Sequence, residues 1–141
     1  MATERIYPAS DVTTNWDGWS APPHWSRVDD AYGSETEADG GLSGGNNAVE
    51  EFTIANVSVM GASDTATGID VYIWSKSTVV TDSIDVQYSI DNGSNWSSVV
   101  NVVVNQTDYA YEIASWSSLS LTQSQINAMN IRLTCPNGNA D

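Results

Sequence analysis

Apart from its carboxylates, this sequence has few side chains that could act as a general acid or base near neutral pH. His24 is the only histidine, and it lies in the proline-containing segment "APPHW". A Ser-His-Asp mechanism needs that imidazole between a nucleophile and an orienting acid. No G-x-S-x-G nucleophile elbow occurs anywhere in the sequence. We therefore interpret His24 as an exposed loop residue and predict no catalytic residues.

Carboxylates are abundant, with 18 Asp and Glu residues against 4 Lys and Arg residues. Two carboxylates that flank a glycosidic bond can hydrolyse it. Neighbouring acids are nevertheless expected by chance at this abundance, and a small sandwich rarely encloses a catalytic cleft. We predict that the protein is not an enzyme. The acid groups considered are Asp29-Asp30, Glu35 with Glu37 and Asp39, and Glu50-Glu51.

Calcium is the metal that these acids could best accommodate. The segment "VDDAYGSETEAD" (28–39) alternates oxygen ligands along a loop, which suits a hard cation. It lacks the D-x-D-x-D-G-x5-E spacing of a calcium-binding loop, and a solvated acidic loop is the commoner outcome. Cys135 is the only cysteine, which excludes an internal disulfide and a cysteine-based zinc site. We predict no metal site and no cofactor.

Three tryptophans, Trp16, Trp19 and Trp25, lie close together in a loop-like segment. Aromatic faces beside acids and amides suit the stacking of sugar rings, so these residues are candidates for ligand binding. The alternative is that they pack the N-terminal segment onto the domain, as large amphipathic side chains do. A surface glycan is therefore one candidate partner.

The formal net charge of −14 restricts the partners further. Such a surface repels phosphate backbones and anionic lipid headgroups, so we predict neither nucleic-acid nor membrane binding. The charge suits a particle surface or an extracellular setting, and simple solubility explains it equally well. The opening residues "MATERIYPASD" show no basic and apolar signal-peptide pattern.

The elements that must position these residues are strands. In "IDVQYSI" (84–90) apolar and polar residues alternate, which indicates a half-buried antiparallel strand. The segment "IDVYIW" (69–74) is apolar at most positions on both faces and predicts a more central strand. Turn residues separate these runs at short intervals, which is typical of an antiparallel sandwich.

A single helical pattern interrupts the strands. Thr122 and Gln125 in "LTQSQINAMN" match a capping box and predict one or two helical turns, with Ile126 and Met129 inward. We predict an all-β fold, an antiparallel β-sandwich or jelly roll, with a long irregular N-terminal arm and one short helix near the C-terminus. Residues 1–47 would form the loop-rich arm with the first strand, and 48–141 the sandwich body, together one domain.

One hairpin sequence carries a recognisable motif. Ser89, Asp91, Gly93 and Trp96 fit the spacing S-x-D-x-G-x-x-W, which resembles the Asp-box of sialidases and other β-propeller hydrolases. Asn92 and Gly93 accommodate positive φ, Asp91 accepts hydrogen bonds from loop N–H groups, and Trp96 packs over the strands. A propeller sialidase needs several boxes and an arginine cluster, whereas this sequence has one box. We interpret these residues as a structural hairpin.

A looser pattern spans most of the chain. It consists, in order, of Tyr7-Pro8, Val28-Asp29-Asp30, Trp116 and the segment 126–133. This order resembles small jelly-roll domains of tailed-phage structural proteins and of some secreted prokaryotic proteins. A D-Y-I segment of those domains is replaced here by "ADGGLSGGNN". The resemblance implies a non-enzymatic virion structural protein, a capsid decoration or cement protein or a tail-associated one, bound to other virion proteins or to copies of itself.

The end of the sequence indicates one route to assembly. "CPNGNAD" follows "IRLTC" without a further apolar strand, so we expect either a truncated molecule or a sheet with an open edge there. We hypothesise that this edge, or the N-terminal arm, is completed by a neighbouring chain, and that deletion of residues 1–20 abolishes assembly but leaves the sandwich folded. The alternative function is a carbohydrate-binding or adhesion module of a secreted, extracellular protein, in which Trp16 and Trp19 contact the glycan.

Overall fold

Antiparallel strands make up most of the described chain, as the alternating patterns predict. The computed structural model describes residues 3–15, 46–77, 82–104 and 108–136, and the backbone alone at 17–18 and 42–43. One helix, α1 (Gln123–Asn127), occurs in these ranges. The strands are β1 (Pro8–Thr14), β2 (Asp17–Gly18), β3 (Leu42–Ser43), β4 (Ala48–Ile54), β5 (Thr65–Ser75), β6 (Ser83–Ser89), β7 (Val100–Val103), β8 (Ala110–Thr122) and β9 (Asn130–Cys135).

Five strands form one antiparallel sheet in the order β1-β4-β9-β6-β7. The last strand, β9, lies at its centre, where Arg132 pairs with Glu51 of β4 on one side and with Gln87 of β6 on the other. The expectation that this strand leaves an open edge is therefore wrong. The edges of the sheet are β1 and β7, because the chain returns from α1 into the middle of the sheet.

A second antiparallel sheet consists of β5 and β8. Ala114 and Leu121 of β8 join Val86 and Ile131 of the larger sheet in one buried apolar cluster. A fully buried Val, Leu or Ile side chain contributes about 1.5–3 kcal/mol, so this layer between the sheets stabilises the fold. The predicted all-β antiparallel sandwich with one short helix is confirmed, while the jelly-roll connectivity stays a prediction.

Strand β5 has a different place from the one that its sequence predicts. Among the described strands it pairs only with β8, so it is not the central strand that its two apolar faces indicate. Ile69, Val71 and Ile73 pack against the core, whereas Tyr72 is 45% exposed. The second apolar face of β5 therefore points outward.

Helix α1 begins with the predicted capping box. Gln125 N–H donates to Thr122 Oγ1 at 3.3 Å, and Thr122 N–H donates to Gln125 Oε1 at 2.9 Å. Two backbone donors at the helix start are thereby satisfied. Ile126 is buried in the core, as predicted, together with Met129 just after the helix.

The N-terminal segment is bound to its own domain. The Glu4 carboxylate accepts hydrogen bonds from the Ser58 hydroxyl at 2.6 Å and from the N–H groups of Ser58 and Val59 at 2.9 and 3.1 Å. These bonds, chiefly the one from the Ser58 hydroxyl, lower the pKa of Glu4. Since β1 also pairs with β4, deletion of residues 1–20 would remove a strand of the sheet, and we no longer expect the truncated sandwich to stay intact.

Candidate functional site

The hairpin loop after β6 is organised around Ser89 and Asp91. Ser89 Oγ accepts a hydrogen bond from the Gly93 N–H at 2.9 Å and donates one to Asp91 Oδ1 at 2.7 Å. Asp91 in turn accepts from the side-chain amide of Asn95 at 2.6 Å and from its N–H at 2.8 Å. These bonds, the Asn95 side chain first, lower the pKa of Asp91 to about 2. The carboxylate therefore acts as a structural acceptor.

The turn itself requires a left-handed backbone. Asn92 has a φ of 55° and Gly93 has a φ of 83°, and these conformations favour Asn and Gly. A Cβ on Gly93 would lie 3.1 Å from Glu51 Oε1. Asn92 also donates its N–H to the Ala128 carbonyl at 3.1 Å, which fastens the loop to the residue after α1.

Trp96 closes the loop over the central strands of the larger sheet. The centroid of its ring lies 3.6 Å from the Arg132 guanidinium carbon, in a cation–π contact. Arg132 Nη2 is 3.7 Å from Glu51 Oε2, and Asn130 donates its amide to Glu51 Oε1 at 3.1 Å. Glu51 is consequently only 6% exposed although it is on the outer face of the sheet. Trp96, Arg132, Glu51 and Asn130 form what we call the closed cluster.

The closed cluster also settles the position of one candidate acid pair. Glu50 and Glu51 are neighbours in β4, and successive side chains of a strand point to opposite faces. Glu50 is fully buried, whereas Glu51 belongs to the closed cluster. The two carboxylates therefore cannot flank one glycosidic bond as a catalytic pair.

A shallow depression of about 230 Å³ lies beside the hairpin. Tyr88, Ile90, Asn95, Trp96 and Ser97 line it, and this set includes no carboxylate and no imidazole. Pockets for small-molecule ligands are usually larger, at about 300–1,000 Å³. The depression offers neither the volume nor the acid–base groups of an active site.

The outer face of the β5–β8 sheet carries a row of rings. Tyr72 pairs with Ile113, and Trp74 pairs with Tyr111, across the two strands. Tyr109 stacks on Trp74, with ring centroids 4.3 Å apart and planes inclined by 20°. Ile113 is 48% exposed, close to the value for Tyr72. These five residues form what we call the aromatic face.

Polar groups flank the aromatic face at both ends. The ammonium of Lys76 lies 4.2 Å from the centroid of the Tyr109 ring. At the other end the next cross-strand pair is Asp70 with Ser115, both exposed. The surface thus combines flat rings with hydrogen-bonding groups, and no sequence motif marked it in advance.

The two edges of the larger sheet differ in their protection. β1 is interrupted by register shifts between Pro8 and Ser10 and between Asp11 and Thr13, and such bulges and prolines protect an edge from further pairing. β7 pairs with β6 in continuous register and contains no proline and no charge. Its Val103 is 65% exposed. Within the described part of the chain no strand pairs with the outer edge of β7, whose short length limits it as a template for another strand.

Many of the residues singled out in the sequence lie outside the described part of the chain. This applies to Trp16, Trp19 and Trp25, to His24 and to the acidic segment 28–39. Among the residues that the structure describes, no group of three or more His, Cys, Asp or Glu side chains could hold a metal ion. None of the described helices has the length and apolar character to span a bilayer.

No protein-family model matches this chain, and no curated protein or solved structure is significantly similar to it.

Proposed function

We propose that this chain is a non-enzymatic structural protein of a virus particle and that it assembles with copies of itself through the β7 edge. The observation that carries the proposal is the contrast between β7 and the bulged strand β1 at the opposite edge. An unprotected edge offers backbone N–H and C=O groups to a strand of a neighbouring chain. Exposed Val99 and Val103 would be buried by such a neighbour.

The net charge of the chain favours association of subunits through one specific contact over non-specific association. At a net charge of −14 free subunits repel one another, which disfavours indiscriminate association. Val100–Val103 carries no charged residue, so a partner strand can approach this edge without facing an opposing carboxylate from the strand itself. Association through β7 would therefore be both local and dependent on salt.

The assignment to a virion rests on the resemblance to tailed-phage jelly-roll domains. Several residues of that pattern within the described chain pack in or against the core. Trp116 contacts Tyr88 edge-on, with ring centroids 5.1 Å apart, and Ile126 and Ile131 belong to the core. Such residues specify a fold. The resemblance therefore supports an architecture that occurs in virus particles, and the function is tested separately.

The β7 proposal is tested by Val103→Lys, which places a charge on the exposed edge. Light scattering after size exclusion, over a concentration series, should give an oligomer or larger species for the wild type and the monomer mass for Val103→Lys. The matched control is Val59→Lys, since Val59 is similarly exposed at 56% but lies in the loop after β4. A wild type that stays monomeric at every concentration, or equal assembly of both variants, would contradict the proposal.

A further inference from the structure

The residues of the aromatic face do not belong to the hydrophobic core. The inward residues of β5, Ile69, Val71 and Ile73, already pack against the buried cluster. Tyr72 and Ile113 on the opposite face remain 45% and 48% exposed. Contiguous exposed apolar surface on a soluble domain usually marks a contact site. A role outside folding is therefore the better explanation for these side chains.

We propose that the aromatic face binds the sugar rings of a neutral polysaccharide chain. Sugar rings present C–H faces that stack on aromatic rings and hydroxyl groups that need donors and acceptors around them. The face provides both, because the Tyr72–Ile113 and Trp74–Tyr111 pairs lie between the Asp70–Ser115 pair and Lys76. This binding site goes beyond the proposed assembly function and does not use β7.

The order of side chains along the face favours an extended ligand. Residues two apart on a strand lie about 7 Å from each other, so successive cross-strand pairs form a ladder along the sheet. Tyr72 and Trp74 occupy adjacent rungs, and Tyr109 extends the row by stacking on Trp74. A chain of linked sugars can contact several rungs in turn, whereas a single sugar would contact only one.

The charge of the protein selects among ligands of this shape. A net charge of −14 opposes polyanions such as nucleic acids and acidic polysaccharides. Single-stranded nucleic acids also stack on aromatic rows, but they require a positively charged groove along the backbone. Among the residues that the structure describes, Lys76 is the one cation at this face, and its ammonium contacts the Tyr109 ring. A neutral glycan is therefore the ligand that matches both the rings and the charge.

The experiment measures binding of the full-length protein to a soluble glucan, a mannan and a galactan by affinity electrophoresis. We expect at least one of them to bind, with affinity reduced about tenfold in Tyr72→Ala, as for the loss of one stacking contact. Tyr72→Phe keeps the ring and should stay within about twofold of the wild type, since the stacking surface is retained. Val59→Ala, which removes an exposed apolar side chain elsewhere, is the matched control.

Three outcomes would overturn the inference. They are binding of none of the three polysaccharides, equal binding by the wild type and Tyr72→Ala, and loss of assembly by Tyr72→Ala in light scattering, which would make this face a protein interface. Unfolding by urea verifies that Tyr72→Ala is folded, and if it is not, the wild-type binding measurement still tests the inference. Failure here leaves the β7 proposal untouched, because Val103→Lys tests that edge independently.

Discussion

The closed cluster and the aromatic face use the same kinds of side chain for different ends. In the closed cluster the Arg132 guanidinium covers Trp96, and the pair shields a carboxylate that is almost fully buried. On the aromatic face Lys76 contacts Tyr109, but the neighbouring Tyr72 and Ile113 stay exposed. An aromatic residue beside a cation is therefore not a functional signal by itself. The two regions differ in whether the surrounding loop covers the ring and its charged neighbours or leaves apolar side chains exposed to solvent.

The largest expected effect is the difference in stability between Trp96→Ala and Trp74→Ala. Trp96→Ala should lower the free energy of unfolding by about 3 kcal/mol, because it opens a cavity over Arg132 and exposes the buried Glu51 carboxylate. Trp74→Ala should cost only about 1 kcal/mol, mostly from the lost stack with Tyr109. Urea unfolding of both variants measures the difference. Both rings are half-buried, and equal losses would contradict the structural distinction between them.

A smaller effect is expected at the hairpin glycine. Gly93→Ala should destabilise the protein by about 2 kcal/mol, because it forces a Cβ into positive φ and toward the Glu51 carboxylate. The control is Gly61→Ala, where the nearest atom is the movable side chain of Asp64 at 3.2 Å, and the expected change is within about 0.5 kcal/mol. The shift in urea midpoint measures the stability of both variants. A Gly93→Ala protein as stable as Gly61→Ala would show that the loop relaxes to accommodate the Cβ.

The smallest expected effect concerns pH. Folding lowers the pKa of Asp91 from 3.8 to about 2, so its contribution to stability is present above about pH 4 and is lost as the pH falls towards 2. Asp91→Asn removes that ionisation, and its unfolding free energy should fall less over this interval than that of the wild type. Urea titrations at a series of pH values measure how steeply the unfolding free energy of each protein changes with pH. Identical slopes would mean that the hairpin carboxylate does not contribute to acid sensitivity.

Local patterns in the sequence predicted the local structure well. Alternation in 84–90 predicted strand β6, and Thr122 with Gln125 predicted the start of α1, because both signals depend on residues within one element. The left-handed turn at Asn92-Gly93 was predicted for the same reason. The sandwich class followed from the number and spacing of such elements.

Long-range pairing was not predictable in the same way. Arg132 and Glu51 are far apart in the sequence, and their contact exists only because β9 inserts between β4 and β6. The open edge expected at β9 was wrong because local sequence does not determine strand order. The apolar character of both faces of β5 was visible in the sequence, but burial and exposure of the second face give the same pattern. From the sequence alone, the exposed aromatic face could therefore not be distinguished from a second buried face of β5.

Hydrogen exchange at β7 tests the central claim most directly. Amide protection of Val100–Val103 is compared between dilute and concentrated protein, with the amides of β9 at the centre of the sheet as the internal reference. The account predicts that β7 protection rises with concentration while β9 protection stays constant over the same range. If the wild type forms oligomers and β7 protection does not change, the subunits meet elsewhere and the edge-strand account is contradicted.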